Sequence, residues 1–175
     1  MWILGSSGGQ SAKVAGSNGL RFAANYHVSP AGVLEAVAGY RAAFRPSADL
    51  GRPYVSVSAD VVVAKGEATA RDLAAGYGLW VRSIRSGAGA GAGAGAIAFP
   101  APAEARAHTW TDADRALVAD RVDTQFVGSA GQVADQLEQL QEATGADELI
   151  ITTITHDHAD RVRSYRLLAD EWQRR

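Results

Sequence analysis

Short apolar runs alternate with stretches of helical periodicity along this chain. The apolar residues Trp2–Leu4 are followed, after several small residues, by a helical pattern at Gln10–Asn18 that Gly19 ends. A second apolar run, Leu20–Ala24, precedes apolar residues at helical spacing in Val33–Phe44. The order strand, loop, helix is therefore predicted twice.

The same order continues further along the chain. Side chains that alternate in polarity at Tyr54–Ala59, followed by Val61–Val63, predict a third strand, and a helix is expected from about Gly66 to about Arg85. A fourth strand is predicted at Glu148–Ile154. A helical segment, and not a tight turn, separates each predicted strand from the next.

A capping signal marks the helix that precedes the fourth strand. Ser129 and Gln132 stand three residues apart, which is the spacing of a capping box, and an amphipathic pattern follows in Val133–Leu140. Gly145 is placed to end this helix.

Strands that alternate with helices, without a hairpin signal, predict parallel βα units and therefore an α/β fold. Such a set forms either a small doubly wound sheet or part of an eight-stranded barrel. Both architectures place ligands at the carboxyl ends of their strands. We expect a single domain over residues 1–175, because a chain of this length can bury a substantial core.

The segment Gly87–Ala96 alternates glycine with alanine. Glycine raises the entropy cost of ordering the backbone, and alanine offers little side chain to bury. We therefore expect a long Gly-Ala loop within a flexible insert at about residues 86–110.

The composition excludes several classes of function. A formal net charge of -2, from 17 Lys and Arg against 19 Asp and Glu, predicts no nucleic-acid partner. The 47% hydrophobic content is divided into short runs, so no membrane association is expected. The absence of cysteine excludes disulfides and thiolate metal sites. The first residues lack the features of a signal peptide, so a cytoplasmic location is expected.

The small residues after the first predicted strand, Gly5–Gly9, favour an anion-binding loop. Backbone N–H groups in such a loop, at the N-terminus of a helix, can converge on a negative charge, and the hydroxyls of Ser6, Ser7 and Ser11 would add donors. The spacing matches neither a dinucleotide fingerprint nor a nucleoside triphosphate loop. A single phosphate, as in FMN, fits better; the alternative is a flexible linker without a role.

Two further groups carry polar side chains of interest. His156, His158 and their acidic neighbours resemble metal ligands, but alternate residues of a strand point to opposite faces, and we expect no metal site. His27 follows the second predicted strand, where it could line a substrate pocket, although a lone histidine also serves structural roles.

Several short segments of this chain match segments of one enzyme family and occur in the same order. The segments are Trp2–Ser7, Ser11-Ala12, Gly19-Leu20, Phe22-Ala23, His27, Tyr40-Arg41, Phe44–Ser47, Val127–Ser129, Gly145–Leu149, Asp157-His158, Arg161, Arg163–Tyr165 and Leu168-Ala169. Together they resemble the bacterial-luciferase-like flavin-dependent monooxygenases, from Trp2 to about Trp172.

This resemblance implies a (β/α)8 barrel that binds reduced FMN, or a deazaflavin in some branches, and oxidises small organic substrates with oxygen. The chain resembles the C-terminal half of the barrel, with about four parallel βα units. The loop that holds the flavin phosphate falls on Ser7, Gly8 and Ser11, with Ser6 beside them. A mobile segment that covers the flavin corresponds by order to the Gly-Ala loop.

The leading hypothesis is thus an FMN-dependent oxidoreductase that acts on a small-molecule substrate, with its flavin reduced by a separate flavin reductase. The resemblance leaves the first four βα units outside this chain, which implies self-association or an N-terminal half-barrel chain as partner. The alternatives are a non-catalytic half-barrel, which binds flavin weakly or only a partner chain, and a flavodoxin-like electron carrier. No catalytic residue and no particular substrate is assigned by the sequence.

Overall fold

The structure, a computed structural model, describes residues 1–87 and 96–175. Strands and helices alternate along these residues. The strands are β1 (Trp2–Gly5), β2 (Arg21–Ala24), β3 (Val55–Val63), β4 (Phe126–Gly128) and β5 (Glu148–Thr152). The helices are α1 (Gln10–Ser17), α2 (Val33–Ala43), α3 (Glu67–Ala74), α4 (Gly76–Ser86), α5 (Pro102–Ala107), α6 (Asp112–Val122), α7 (Ala130–Thr144) and α8 (His158–Trp172).

The strands pair in parallel, as the sequence predicts for an α/β fold. β1 pairs with β2, β2 pairs with the first half of β3, and the last three residues of β3 pair with β4, all in parallel. β5 also pairs with β3. The first strand of a flavodoxin-like sheet lies between two others, whereas β1 pairs only with β2 among the described residues, so this order argues against the electron-carrier alternative.

The chain divides into two compact units. The first contains Met1–Ala59 and Gln136–Thr152, and the second contains Asp60–Asp135 and Thr153–Arg175. The first unit holds β1, β2, the start of β3 and β5, together with α1 and α2. The predicted site residues Ser6, Ser7, Gly8, Ser11 and His27 therefore all belong to the first unit.

The core of the first unit forms where α2 covers the sheet. The ring of Phe22 stacks on the ring of Tyr40 at a centroid distance of 5.2 Å, and both side chains are fully buried. The Tyr40 hydroxyl donates to the Leu20 carbonyl at 2.8 Å and accepts from the Tyr54 N–H at 3.1 Å. This one side chain thus fills the core and satisfies backbone groups beside two strands.

Long-range polar contacts fix the entry into β5. The guanidinium of Arg41 donates to the carbonyl oxygens of Thr144 and Gly145, at 2.8 and 2.6 Å. The carboxylate of Asp147 accepts from the N–H of Val55 at 2.9 Å and from Arg52 at 2.9 Å. The end of α7 is therefore bound to α2, and the residue before β5 is bound to the start of β3.

The predicted helix ends are confirmed. α1 and α7 are each followed by a glycine in the left-handed region, Gly19 with φ 60° and Gly145 with φ 59°. One half of the predicted capping box is present, since Gln132 Oε1 accepts from the backbone N–H of Ser129 at 3.0 Å and from its hydroxyl at 2.9 Å.

The structure differs from the sequence prediction between β3 and α7. The described residues contain five strands, whereas the sequence predicts four. The additional strand is the short strand β4. The helix expected from about Gly66 to about Arg85 is divided into α3 and α4. A Cβ on Gly76, at the division, would lie 2.7 Å from the Pro100 carbonyl oxygen, so a close backbone contact occupies this point.

The predicted flexible insert at about 86–110 is described only in part. Residues 102–107 of it form helix α5. Residues 88–95 of the expected Gly-Ala loop, Gly87–Ala96, lie outside the described residues, and the role of this loop as a segment covering the flavin stays a prediction. Phe99 and Pro100, which follow it, are described, and Phe99 packs against the apolar cluster of Tyr77 and Val81 in the second unit.

Among the helices of the described residues, none combines the length and the apolar composition that a membrane span requires.

Replacement of Gly19 by alanine is expected to lower the free energy of unfolding by more than about 2 kcal/mol. The left-handed backbone alone costs about 1–2 kcal/mol for a residue with a Cβ, and that Cβ would lie 2.7 Å from the Arg45 carbonyl oxygen. Urea unfolding followed by circular dichroism measures the change. Gly51→Ala is the control, because nothing lies within 4 Å of its Cβ position. Equal stability of the two variants would contradict the structure of this turn.

Candidate functional site

The loop after β1 carries the predicted phosphate-binding residues. Ser6 and Ser7 form a bend directly after the strand, and Ser11 lies in the first turn of α1; all three are exposed to solvent. The helix begins with Gly9 as its N-cap, and no side chain caps it. Its first turn contains no acidic residue. The partial positive charge of this helix end is therefore available to an anion.

Glycine is required in this loop by close packing against the start of α2. A Cβ on Gly8 would lie 3.0 Å from both the backbone oxygen and the Oε1 atom of Glu35. A Cβ on Gly32 would lie 2.5 Å from the backbone oxygen of Ser6. The loop thus packs against the backbone at the start of α2, while its serine residues stay exposed to solvent. Glu35 places one carboxylate beside Gly8.

The loops that carry the serines and His27 leave the sheet side by side. Gly5 at the end of β1 is paired with Ala24 at the end of β2. The N–H of Asn25 donates to the Gly5 carbonyl at 2.9 Å, which joins the two loops where they begin. The carboxyl ends of parallel strands are the usual location of ligand sites in this class of fold.

His27 is anchored to β3 by two contacts to a single residue. Its backbone N–H donates to the Ser58 carbonyl at 3.2 Å, and its ring Nδ1 lies 2.5 Å from the Ser58 hydroxyl oxygen. Ser58 is buried and also donates to the Ala24 carbonyl at 3.4 Å. Beside His27, partial burial raises the pKa of Tyr26 above its ordinary value. His27 is therefore an oriented side chain, and not a freely rotating one.

Ser58 is the site residue that the sequence analysis missed. The alternation at Tyr54–Ala59 does place Ser56 and Ser58 on one face of a strand. Ser56, Ser58 and Asp60 at alternate positions of a strand whose other residues are apolar are the signal that could have drawn attention to it.

A second polar cluster lies in the second unit, distant in sequence from the serine loop. The hydroxyl of Tyr77 donates to the buried carboxylate of Asp60 and accepts from Arg121 at 2.8 Å. The guanidinium of Arg121 also lies 3.7 Å from Asp60. Burial, followed by the hydrogen bond to Asp60, raises the pKa of Tyr77 far above its ordinary value. The phenol therefore stays protonated and acts as a donor.

The second unit also contains a cavity of about 860 Å³, whose wall includes Tyr77, Gly78, Trp110 and Val118. None of the predicted site residues lines it. The helix N-terminus and the histidine of the first unit offer more specific chemistry than this mainly apolar wall, so we place the candidate site in the first unit.

The histidines near the start of α8 are engaged with other groups. His156 Nδ1 lies 3.0 Å from the Phe99 carbonyl oxygen, and His158 Nδ1 lies 2.7 Å from Arg161. Within residues 1–87 and 96–175, no three His, Asp or Glu side chains lie together in an arrangement that could hold a metal ion.

The sequence matches the family model of the luciferase-like monooxygenases over residues 1–148. The chain belongs to this family. Its relatives include the Bacillus subtilis (strain 168) protein YvbT, of uncharacterised function, which is 34% identical over 176 residues; the match covers 100% of this chain and 50% of YvbT. The luciferase-like chain thus spans about half the length of the relatives it matches.

Solved structures of luciferase-like and related proteins share its fold. Apo-MsnO8 is 33% identical with a TM-score of 0.83, and the match covers 98% of this chain and 50% of that one. The oxygenating constituent of 3,6-diketocamphane monooxygenase from Pseudomonas putida, in complex with FMN, is 21% identical with a TM-score of 0.61 and 47% of its chain covered. An F420-dependent secondary alcohol dehydrogenase is 13% identical with a TM-score of 0.53 and 48% covered. The fold class predicted from the sequence, half of a (β/α)8 barrel, is confirmed.

In the luciferase-like chain, Tyr77→Phe is expected to lower the free energy of unfolding by about 1–3 kcal/mol, because the buried Asp60 carboxylate loses a hydrogen-bond donor. Chemical unfolding measures the loss. Tyr54→Phe is the control, since its hydroxyl makes only one exposed contact, at 3.4 Å to Glu148, and its removal should change stability by less than about 0.5 kcal/mol. Similar values for both variants would argue against a stabilising role of the Tyr77 hydroxyl.

Proposed function

We propose that this chain forms the flavin-phosphate-binding part of an FMN-dependent luciferase-like oxidoreductase. The observation that carries the proposal is the N-terminus of α1, which no side chain caps and which follows a loop of exposed serines at the carboxyl end of β1. An enzyme of this kind uses reduced flavin and oxygen to oxidise a small organic substrate.

The residues present fit a phosphate. Backbone N–H groups at the start of α1, together with the hydroxyls of Ser6, Ser7 and Ser11, supply neutral donors. Gly8 allows the loop to pack closely against Glu35, and the carboxylate of Glu35 is the one nearby negative charge that the donors must outweigh among the described residues. When bound, reduced FMN supplies the reducing electrons, and the protein supplies placement. In this proposal the chain binds and orients the phosphate end of the cofactor.

FMN is preferred over a deazaflavin as the cofactor. The site offers a compact set of donors suited to one phosphate group, and one structure of similar fold is named as a complex with FMN. The alternative cofactor is a deazaflavin such as F420, because one enzyme of similar fold is named as F420-dependent. A nicotinamide-dependent flavin reductase would be the separate source of reduced flavin.

His27 is proposed as a substrate-facing residue. Its loop begins beside the serine loop, and its ring is fixed by Ser58 at 2.5 Å. An imidazole held in one orientation can exchange hydrogen bonds with a substrate oxygen or a flavin oxygen. The role is one of binding and orientation; no residue of this chain is assigned a catalytic step.

The substrate pocket is proposed to be completed by another polypeptide segment. In the described part of the chain, β1 pairs only with β2 and β5 only with β3, which leaves one edge of each strand unpaired. Trp2 and Leu4 on β1, and Ile150 on β5, are exposed apolar side chains. Unpaired parallel edges with exposed apolar residues favour association with a second half-barrel. A half-barrel that binds only its partner and catalyses nothing remains the second candidate.

FMN is expected to bind more tightly than riboflavin, because the proposed contacts are to the phosphate. Ser7→Ala and Ser11→Ala should each weaken FMN binding about tenfold, from the loss of one charge-assisted hydrogen bond, and leave riboflavin binding unchanged. Flavin fluorescence titration measures both affinities. Ser17→Ala is the matched control, an exposed serine at the opposite end of the same helix. Equal affinities for FMN and riboflavin would eliminate the proposed phosphate site.

The chain is expected to associate at micromolar concentration, either with itself or with a complementary half-barrel. Light scattering of the chain alone, and after addition of the half of YvbT that it does not match, measures the mass. Leu4→Lys on the edge strand should weaken association; Val14→Lys, an exposed apolar residue on α1, is the control. Oxidation of substrate should require the complement. A stable monomer that neither associates nor binds the added half would contradict this proposal.

A further inference from the structure

Helix α2 covers one face of the sheet in the first unit, and the opposite face carries a row of large side chains. Phe22 of β2 points to the covered face, where its ring stacks on Tyr40 of α2. Because side chains alternate along a strand, Arg21 lies on the opposite face. Its register partner is Trp2 of β1, and its Cζ atom lies 5.6 Å from the centre of the Trp2 ring and 5.3 Å from that of Tyr54. Trp2, Arg21 and Tyr54 therefore form a row across the sheet.

Strand β5 contributes a charge of opposite sign to the same face. Glu148 Oε2 lies 3.4 Å from the Tyr54 hydroxyl oxygen, so Glu148 is on the side of the sheet that carries Tyr54. Ile150 lies two residues further along β5 and shares this side. The surface, called the open face below, is formed by Trp2, Leu4, Arg21, Tyr54, Glu148 and Ile150, of which all but Tyr54 are exposed. It combines exposed apolar side chains with one cation and one anion.

The two charges of the open face are separated by the Tyr54 ring. In the described part of the chain, neither Arg21 nor Glu148 forms an ion pair. Each is the first residue of its strand, β2 or β5, and β3 pairs with both of these strands. Arg21 and Glu148 therefore flank Tyr54 on alternate strands of the sheet.

We propose that the open face is the interface between two copies of this chain, in which Arg21 of each copy pairs with Glu148 of the other. A two-fold axis brings residue i of one copy to residue j of the second, and j to i. An interior layer of an eight-stranded barrel takes four side chains from alternate strands. Two copies supply Arg21 and Glu148 twice, so the charges of this layer alternate in sign. The inference rests on the proposed association and names the partner as a second copy.

A second copy suits this face because the face is complementary to itself. Once enclosed, Arg21 needs a carboxylate opposite it and Glu148 needs a cation, since buried charges without a partner are costly. A second copy provides both, and close charge pairs across an interface fix its register and exclude other partners. The exposed apolar side chains of Leu4 and Ile150 are buried in the same contact.

The test is sedimentation velocity of the flavin-free full chain at micromolar concentrations, where the parent chain is expected to form a dimer. Arg21→Glu and Glu148→Arg should each raise the dissociation constant of the dimer at least about tenfold, because each places like charges across the interface. Arg166→Glu and Glu142→Arg make the same charge changes at exposed positions outside the open face, and they should leave the dissociation constant unchanged.

A mixture of the two variants separates pairing between copies from effects within one copy. The Arg21→Glu chain carries two carboxylates on its open face, and the Glu148→Arg chain carries two cations. An equimolar mixture should therefore form a heterodimer at concentrations where each variant alone is monomeric. The double variant Arg21→Glu/Glu148→Arg should dimerise as well, and circular dichroism checks that all variants are folded.

Three results would overturn the proposal: a monomeric parent chain, single variants that dimerise like the parent, or a mixture no more dimeric than its components. Assembly with the unmatched half of YvbT but not with a second copy would also overturn it, while supporting the proposed association with a complementary half-barrel. Because the measurement needs no flavin, failure of FMN binding would count against the proposed phosphate site alone.

Discussion

β3 is the constraint on which the rest of this structure depends. All nine of its residues, Val55–Val63, are buried, although Ser56, Ser58 and Asp60 are polar. A strand buried on both faces must pair its backbone groups with neighbours, which β2, β4 and β5 provide. The Ser56 hydroxyl has no hydrogen-bond partner among the described residues, whereas Ser58 and Asp60 contact side chains from outside the sheet.

Each of these partners belongs to a feature of functional or structural interest. Ser58 bonds to His27 in the first unit, and Asp60 bonds to Tyr77 and Arg121 in the second. The buried polar groups of one strand therefore determine where a histidine ring is fixed and where a phenol is kept protonated. A more uniformly apolar strand would have packed equally well without orienting either side chain.

Much of the fold could be predicted from local signals. The glycines at positions 19 and 145 and the capping box at Ser129 mark helix boundaries through backbone conformation and short-range hydrogen bonds, which depend on nearby residues. α6 carries a comparable signal, since Thr111 and Asp114 form a capping box at its start. The sequence analysis does not predict this helix. β4 has only three residues, and the pairing with β3 that makes it a strand is not a local property.

The sequence suggests residues for the candidate site but not their geometry. The serine loop and His27 follow from the resemblance to luciferase-like monooxygenases and stay a prediction, whereas the contact between His27 and Ser58 joins residues 31 positions apart. The closeness of Gly8 to Glu35 likewise arises from the packing of the loop against α2. Contacts of this kind depend on tertiary structure, and neither the periodicity of the sequence nor the residue types predict them.

In the proposed function, the absence of a side-chain cap on α1 would couple phosphate binding to the stability of the helix. The helix has eight residues, and helices this short are marginal without stabilising contacts at their ends. A phosphate that accepts hydrogen bonds from its first turn would serve in place of the side-chain cap that Gly9 does not provide. If phosphate binds there as proposed, part of the interaction energy would stabilise the first turn of α1. The affinity for phosphate and the local stability of this helix end would then be linked.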